Sequence, residues 1–331
     1  GLSLTSLGSL TNEGSIASNG IITQIVSVGN LKNTGNISTT NTTVINSLSS
    51  LTNNGTISTT RQLLAKASGN IENTGTLSGG AALNVTADGN LKTTYGSNLL
   101  SDNQLVVTAG GNIENGGSTR ATNTTVTFGG DALKVTGNIY GYDTLLIQAK
   151  KNDSLTSGEI INSGYIAGDN ATVQTKGTLT LQKNSQLHGS STLVTKSYQL
   201  KNEGYIGGHN INIENDVTNN YGTIVGRDNV LIKTYNDLYN EGEILSSTNM
   251  TLDTQNHGNI TNRSHIGAGG TLTMSAKKVI NGGYRCGFLG LATCGKGTIS
   301  TTNLFLNSSH KYANEMGGTQ QFKIATINTI N

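Results

Sequence analysis

Apolar and polar positions alternate along this chain in two short measures that keep returning together. The first reads Leu10-Thr-Asn12-Glu-Gly14-Ser-Ile16, then Leu31-Lys-Asn33-Thr-Gly35-Asn-Ile37, Leu51-Thr-Asn53-Asn-Gly55-Thr-Ile57 and Ile71-Glu-Asn73-Thr-Gly75-Thr-Leu77. With the glycine as marker, the phrase continues at Gly96, Gly117, Gly137, Gly164, Ser185, Gly204, Gly222, Gly242, Ser264 and Gly283, a mean spacing of about 21 residues. The second measure lies between phrases, as in Leu83-Asn-Val85-Thr-Ala87, Leu105-Val-Val107-Thr-Ala109, Ile211-Asn-Ile213 and Leu272-Thr-Met274-Ser-Ala276. Period-two alternation marks short half-buried strands. The pairs Gly69-Asn70, Gly89-Asn90, Gly111-Asn112, Gly137-Asn138 and Gly258-Asn259 then turn the chain, and positive φ is expected of them. No stretch carries a helical period.

A fixed period of this length predicts a solenoid, whose units bury their apolar faces only by stacking. The fold expected is all-β, a right-handed parallel β-helix of about 14–15 coils with a period near 20–21 residues. At about 4.8 Å per coil it would extend roughly 70 Å. Ile16, Ile37, Ile57 and Leu77 form one inward column, and Leu10, Leu31, Leu51 and Ile71 another. A third column holds Asn12, Asn33, Asn53, Asn73, Asn115, Asn162, Asn202, Asn219, Asn240, Asn262 and Asn281. Stacked amides donate to one neighbour and accept from the other, so a structural ladder is expected in preference to a polar binding stripe. Thr93, Val135 and Lys183 interrupt the column, and looser coils are expected there. The shaft is expected over 1–303, with an insertion at 284–296. Residues 304–331 lose the phrase and form irregular last coils or the start of another segment.

Composition narrows the function. Only 12% of residues are charged, about half the usual share, yet the net charge is +2 and β-branched residues recur on the beat. This is not the signature of disorder. No basic cluster exceeds Lys150-Lys151 or Lys277-Lys278, so no nucleic-acid partner is expected, and no apolar run reaches a membrane span. The chain begins at Gly1 inside a repeat and reads as a piece of a longer protein.

The Leu-x-Asn-x-Gly-x-Ile phrase, with Leu-x-Val-x-Ala-x-Gly-Asn before the next copy, resembles filamentous haemagglutinin repeats over about residues 8–283. These repeats belong to large two-partner-secretion exoproteins of Gram-negative bacteria, which include filamentous adhesins and the stick-like effectors of contact-dependent growth inhibition. The resemblance implies a β-helical shaft exported by an outer-membrane partner transporter and placed at the bacterial surface. A protein or glycan receptor on a target cell is the further partner expected. It transfers no catalytic residue. Export would also let Cys286 and Cys294 form a disulfide, whose short ring is worth roughly 2.5 kcal/mol in the chain-entropy model; in a reducing compartment they are two incidental thiols.

Breaks in the phrase are the candidate binding places. One is the insertion around Lys150–Ser157, read as a solvated turn. Another is the loop Tyr284-Arg285-Cys286-Gly-Phe288-Leu289-Gly-Leu291-Ala-Thr-Cys294, whose apolar tip either meets a partner or folds back on the shaft. The third is tyrosine: eight of the eleven lie at Tyr140, Tyr142, Tyr165, Tyr198, Tyr205, Tyr221, Tyr235 and Tyr239. Tyr165 and Tyr205 precede inward Ile166 and Ile206, so both are expected to face outward on one face. Surface aromatics bind sugars or protein, or simply stabilise the sheet.

Some β-helices bind or degrade polysaccharides, which is the alternative function. Degradation needs clustered carboxylates. Here the acids are scattered, with Glu13, Glu72, Glu203 and Glu241 at variable phrase positions. His188, His209, His257, His265 and His310 share no column, and no nucleophile elbow or phosphate loop is present. No enzyme activity, metal or cofactor is expected.

Overall fold

The structure, a computed structural model, describes all residues except 152–153, 287–291, 295, 316–317, 322–323 and 330–331. Among the described residues every regular element is a β-strand. The fold is a parallel β-solenoid of about fifteen turns with a period near twenty residues. Chain packing divides it into two compact units, Gly1–Lys176 and Gly177–Asn331. No helix among the described residues is long and apolar enough to cross a membrane.

One coil of the first unit shows how the phrase becomes structure. Leu31–Asn33, Asn36–Thr39 and Thr42–Ser47 are its three strands. The next coil repeats them as Leu51–Asn53, Thr56–Thr59 and Gln62–Ala67. Pairing is parallel and in register, with Leu31 beside Leu51, Asn33 beside Asn53 and Ile37 beside Ile57. Alternation sends Leu31, Asn33, Ile37, Thr39, Thr43, Ile45 and Ser47 inward, and all seven are buried. Each large aliphatic among them contributes roughly 1.5–3 kcal/mol by leaving water. Small residues occupy the corners of these coils, with Thr39, Thr59 and Gly79 in one column and Ser47, Ala67 and Ala87 in another, where Phe128 later takes a place.

The buried amides bond to one another in two runs. In the first unit Asn12 Nδ2 donates to Asn33 Oδ1 (2.7 Å), Asn33 to Asn53 (2.8 Å) and Asn53 to Asn73 (2.7 Å). In the second unit the same bond links Asn202 to Asn220, Asn220 to Asn240, Asn240 to Asn262 and Asn262 to Asn281, at 2.7–2.8 Å. The same Nδ2 atoms also reach backbone carbonyls, for example Asn33 to Gly35 O and Thr56 O. Those carbonyls fix which way each amide points, because only its nitrogen can donate to them. The fully buried member of this column is Asn220, and Asn219 beside it is only half-buried, which corrects the register read from the repeats.

Two interruptions need restating. Thr93 does not break the column altogether: its hydroxyl donates to Asn115 Oδ1 at 2.9 Å in the next coil. The residue beside Asn202 is Leu181, not Lys183. Both coils contain a buried serine at the marker, Ser97 and Ser185, whose hydroxyls donate to Thr94 O and Gln182 O at 2.7 Å. Each follows a residue at positive φ, Gly96 at 82° and Asn184 at 65°. The marker in the first of these coils is therefore Ser97, with Gly96 forming the turn before it.

Glycine at the other markers answers a different need. None of the glycines in the five Gly-Asn pairs adopts positive φ, contrary to expectation. They are required by close approach. A Cβ on Gly35 would lie 2.0 Å from Gly14 O, and one on Gly55 or Gly75 equally close to the marker carbonyl before it. A Cβ on Gly89 or Gly111 would meet Asn70 Oδ1 or Asn90 Oδ1 at 2.4 and 2.2 Å. Those asparagine oxygens accept the backbone N–H of Asn90 and Asn112 at 2.8 Å, so each turn caps the next.

The insertions leave the coil and return to it. Lys150–Lys151 pairs antiparallel with Ser154–Leu155, and Thr156 N rejoins Ala149 O. Tyr284–Cys286 pairs antiparallel with Ala292–Cys294, and the coil resumes with Thr298 beside His265. Arg263 holds the base of this hairpin through Gly282 O, Gly283 O and the Glu315 carboxylate. Beyond 304 the parallel pairing continues, with Asn303 beside Ile324 and Ser308 beside Thr329.

Two substitution pairs test the register. Ile57→Asp is expected to cost more than about 4 kcal/mol and Thr56→Asp less than about 1 kcal/mol, read by thermal unfolding; similar costs would refute the inward assignment. Asn53→Asp turns a carboxylate toward Asn73 Oδ1, Gly55 O and Thr76 O, and is expected to cost about 3–5 kcal/mol. Asn54→Asp, on the exposed neighbour, is expected to leave the transition unchanged.

Candidate functional site

In the first unit one outward column changes character along its length. It runs Ala17, Ser38, Ser58, Ser78, Leu100, Arg120 and Tyr140, each beside the next. Four small residues are followed by three large ones. Tyr140 lies on Asn138–Lys151, beside the strand Tyr165–Gln174, with Asn138 opposite Tyr165. Ile139 and Ile166 beneath are buried and fix the outward direction of these rings.

The register slips between Gly141 and Thr144, and a Cβ on Gly141 would lie 2.0 Å from Thr144 O. That tight bulge lifts Tyr142 off the sheet, where its ring stacks on Tyr140 at 6.3 Å and 11°. Tyr165 closes the other side at 5.1 Å and 36°. The cluster thus has three rings, of which Tyr142 is 62% exposed. Burial, then Tyr165 and Tyr142, push the Tyr140 phenol above its ordinary value, while Arg120 opposes them. The hydroxyl therefore remains a protonated donor at neutral pH. Beside the rings a shallow groove of about 320 Å³ is lined by Ser78, Leu100, Ser101, Asp102, Arg120 and Tyr142.

The other candidate residues are placed differently. Tyr205 lies in the second unit, where Tyr221 pairs with Tyr239 at 6.1 Å and Tyr235 with His257 at 4.7 Å. Tyr205 does not stand away from the sheet; its ring lies over Gly207, where a Cβ would come within 2.4 Å of it. Phe288, Leu289 and Leu291 lie outside the described residues, and so do the side chains of Arg285, Cys286 and Cys294. Their strands place Cys286 opposite Ala292 and Cys294 opposite Tyr284.

Three carboxylates in this structure meet lysines. Glu114 faces Lys92 at 3.5 Å, Glu214 faces Lys196 at 2.9 Å and Glu203 faces Lys201 at 2.8 Å. Hydrogen bonds from Lys201 and Lys196 hold the Glu203 and Glu214 carboxyls below the usual range. Among the described residues no three His, Cys, Asp or Glu side chains gather as metal ligands.

One grouping was missed by comparing histidines only with histidines. His209 and Arg227 both stand five residues after a marker glycine, Gly204 and Gly222, and both border a cleft with His188. Aligning all cationic residues on the marker would have found it.

Comparison with known proteins gives one match. The haemagglutinin repeat family model matches residues 26–94, 95–141, 142–220, 213–254 and 242–309. No curated protein and no solved structure matches the chain. The repeats point to secreted or cell-surface proteins of an adhesin-like, structural kind. With three strands, an inward asparagine and a marker glycine in coil after coil, and the matched segments together spanning 26–309, this chain belongs to the haemagglutinin repeat family.

Proposed function

We propose that the chain is the non-enzymatic shaft of a large exported surface protein, and that Tyr140, Tyr142, Tyr165 and Arg120 form a contact with a receptor on a target cell. The supporting observation is the outward column of the first unit. Ala17, Ser38, Ser58 and Ser78 show that a coil needs only small side chains there. Leu100, Arg120 and Tyr140 add nothing to the buried core, yet they bring an arginine and stacked rings to the surface. Tyrosine and arginine are the side chains most often found at the energetic centre of interfaces.

The family setting supports export through a partner outer-membrane transporter. It also supports a role in adhesion or in contact-dependent inhibition, with the shaft carrying a distal module toward its target. In that setting Cys286 and Cys294 form a disulfide bracing the hairpin, which requires its strands to slip by two residues from the register that sets Cys286 opposite Ala292. Glu114, Glu214 and Glu203 are each tied to a lysine, which does not suit them to act as a carboxylate pair in polysaccharide cleavage.

Binding of the purified chain to candidate target cells tests the contact. Tyr140→Ala/Tyr142→Ala is expected to weaken binding about tenfold or more while circular dichroism stays unchanged. Binding equal to that of the unaltered chain would leave only the spacer role. Maleimide labelling of the exported, denatured chain reads the cysteines: no thiol is expected to react before reductant is added, and prompt labelling refutes the disulfide.

A further inference from the structure

The second unit carries a cleft of about 280 Å³, bordered by His188, Ser190, Tyr205, His209, Val225 and Arg227. Its origin is a missing side chain. His188, Gly207 and Val225 are consecutive members of one outward column, so Gly207 leaves a notch between them. The Tyr205 ring lies in the floor of that notch, over the Gly207 Cα. The register shifts between Gly189 and Thr192 and between Gly208 and Asn210 carry Ser190, His209 and Arg227 to one rim.

The charges of the rim are unbalanced. Asp228 is engaged with His209, Oδ2 to Nδ1 at 3.0 Å, and no carboxylate pairs with Arg227 among the described residues. His188 is half-buried; burial first, then Arg227 and His209, hold its imidazole below the ordinary histidine value. No other titratable group bears on His188 among the described residues. The guanidinium of Arg227 repels a protonated His188, and an anion seated in the cleft would offset that repulsion. Tyr205 supplies an apolar face, Ser190 a hydroxyl, and Val225 is the one aliphatic wall.

We propose that this cleft binds an acidic sugar unit, a pyranose whose carboxylate pairs with Arg227 and whose ring rests on Tyr205. A planar guanidinium fork matches a carboxylate in two parallel hydrogen bonds. The volume lies just below the roughly 300–1,000 Å³ of pockets for drug-sized ligands, which suits a single monosaccharide. One valine is too little apolar surface for a lipid chain. The site is separate from the tyrosine cluster of the first unit and does not depend on the receptor reading.

Titration of the full chain with an oligogalacturonate, its neutral methyl ester and sulfated dextran, followed by ligand-observed NMR, tests the proposal. The acidic oligomer is expected to bind about tenfold or more tighter than its ester, and Arg227→Gln to remove that preference with unchanged circular dichroism. Protonation of His188 adds a positive charge facing the carboxylate, so binding strengthens about threefold or more from about pH 7.5 to about pH 6, and His188→Gln abolishes this gain. Tyr140→Ala/Tyr142→Ala is expected to leave oligogalacturonate binding intact, so the two sites are judged apart. Equal binding of the ester, full binding by Arg227→Gln, equal binding of sulfated dextran, or no binding at all would each overturn the proposal.

Discussion

Within each unit a coil rests directly on the one before, and marker glycines make some of the tightest contacts in that stack. The carbonyl of Gly14 comes so near the Cα of Gly35 that no side chain fits, and Gly35 treats Gly55 in the same way. This approach holds neighbouring strands in a single register, with Ile37 on Ile57 and Asn33 on Asn53. A slip by one residue would turn every inward side chain to solvent. It also directs backbone carbonyls such as Gly35 O and Thr56 O toward the Asn33 amide. An aliphatic there would remove the side-chain donor from both, although Gly35 O keeps the Thr56 N–H. The two N–H groups of the Asn33 amide serve three oxygens, Gly35 O, Thr56 O and the Oδ1 of Asn53, so one hydrogen is shared.

Because the interior settles register, the outward columns are released from structural duty. In the first coils the column of Ala17 holds alanine and serine, and Arg120 and Tyr140 later take their place in it. Both surface sites arise by local departures from the repeat. At Gly141 a bulge re-aims Tyr142, and at Gly207 an absent side chain makes room for the Tyr205 ring. Glycine therefore has two functions here, locking coils together at the markers and making room at the surface.

The repeat made the coil legible: inward isoleucines, the amide column and the 284–296 insertion all follow from counting. Its limits are physical. Asn219 and Asn220 are adjacent asparagines in one phrase, and only the strand pairing with Asn240 shows which is inside. Glycine in a turn suggests positive φ, but a packing contact between coils some twenty residues apart leaves no local trace. Stacking of Tyr142 on Tyr140 depends on a register slip that alternation alone does not reveal. The cleft at His188 escaped because its members are of different residue types, gathered by column and not by motif.

The amide column also has a polarity. In every one of these asparagine-to-asparagine bonds the nitrogen of the earlier residue donates to the oxygen of the later one, from Asn12 to Asn73 and again from Asn202 to Asn281. Their dipoles point the same way and reinforce one another. A finished coil thus offers an unspent donor to the coil that follows and asks only for an acceptor in return. Ordering can advance coil by coil in the direction of synthesis, each turn acting as the mould for its successor.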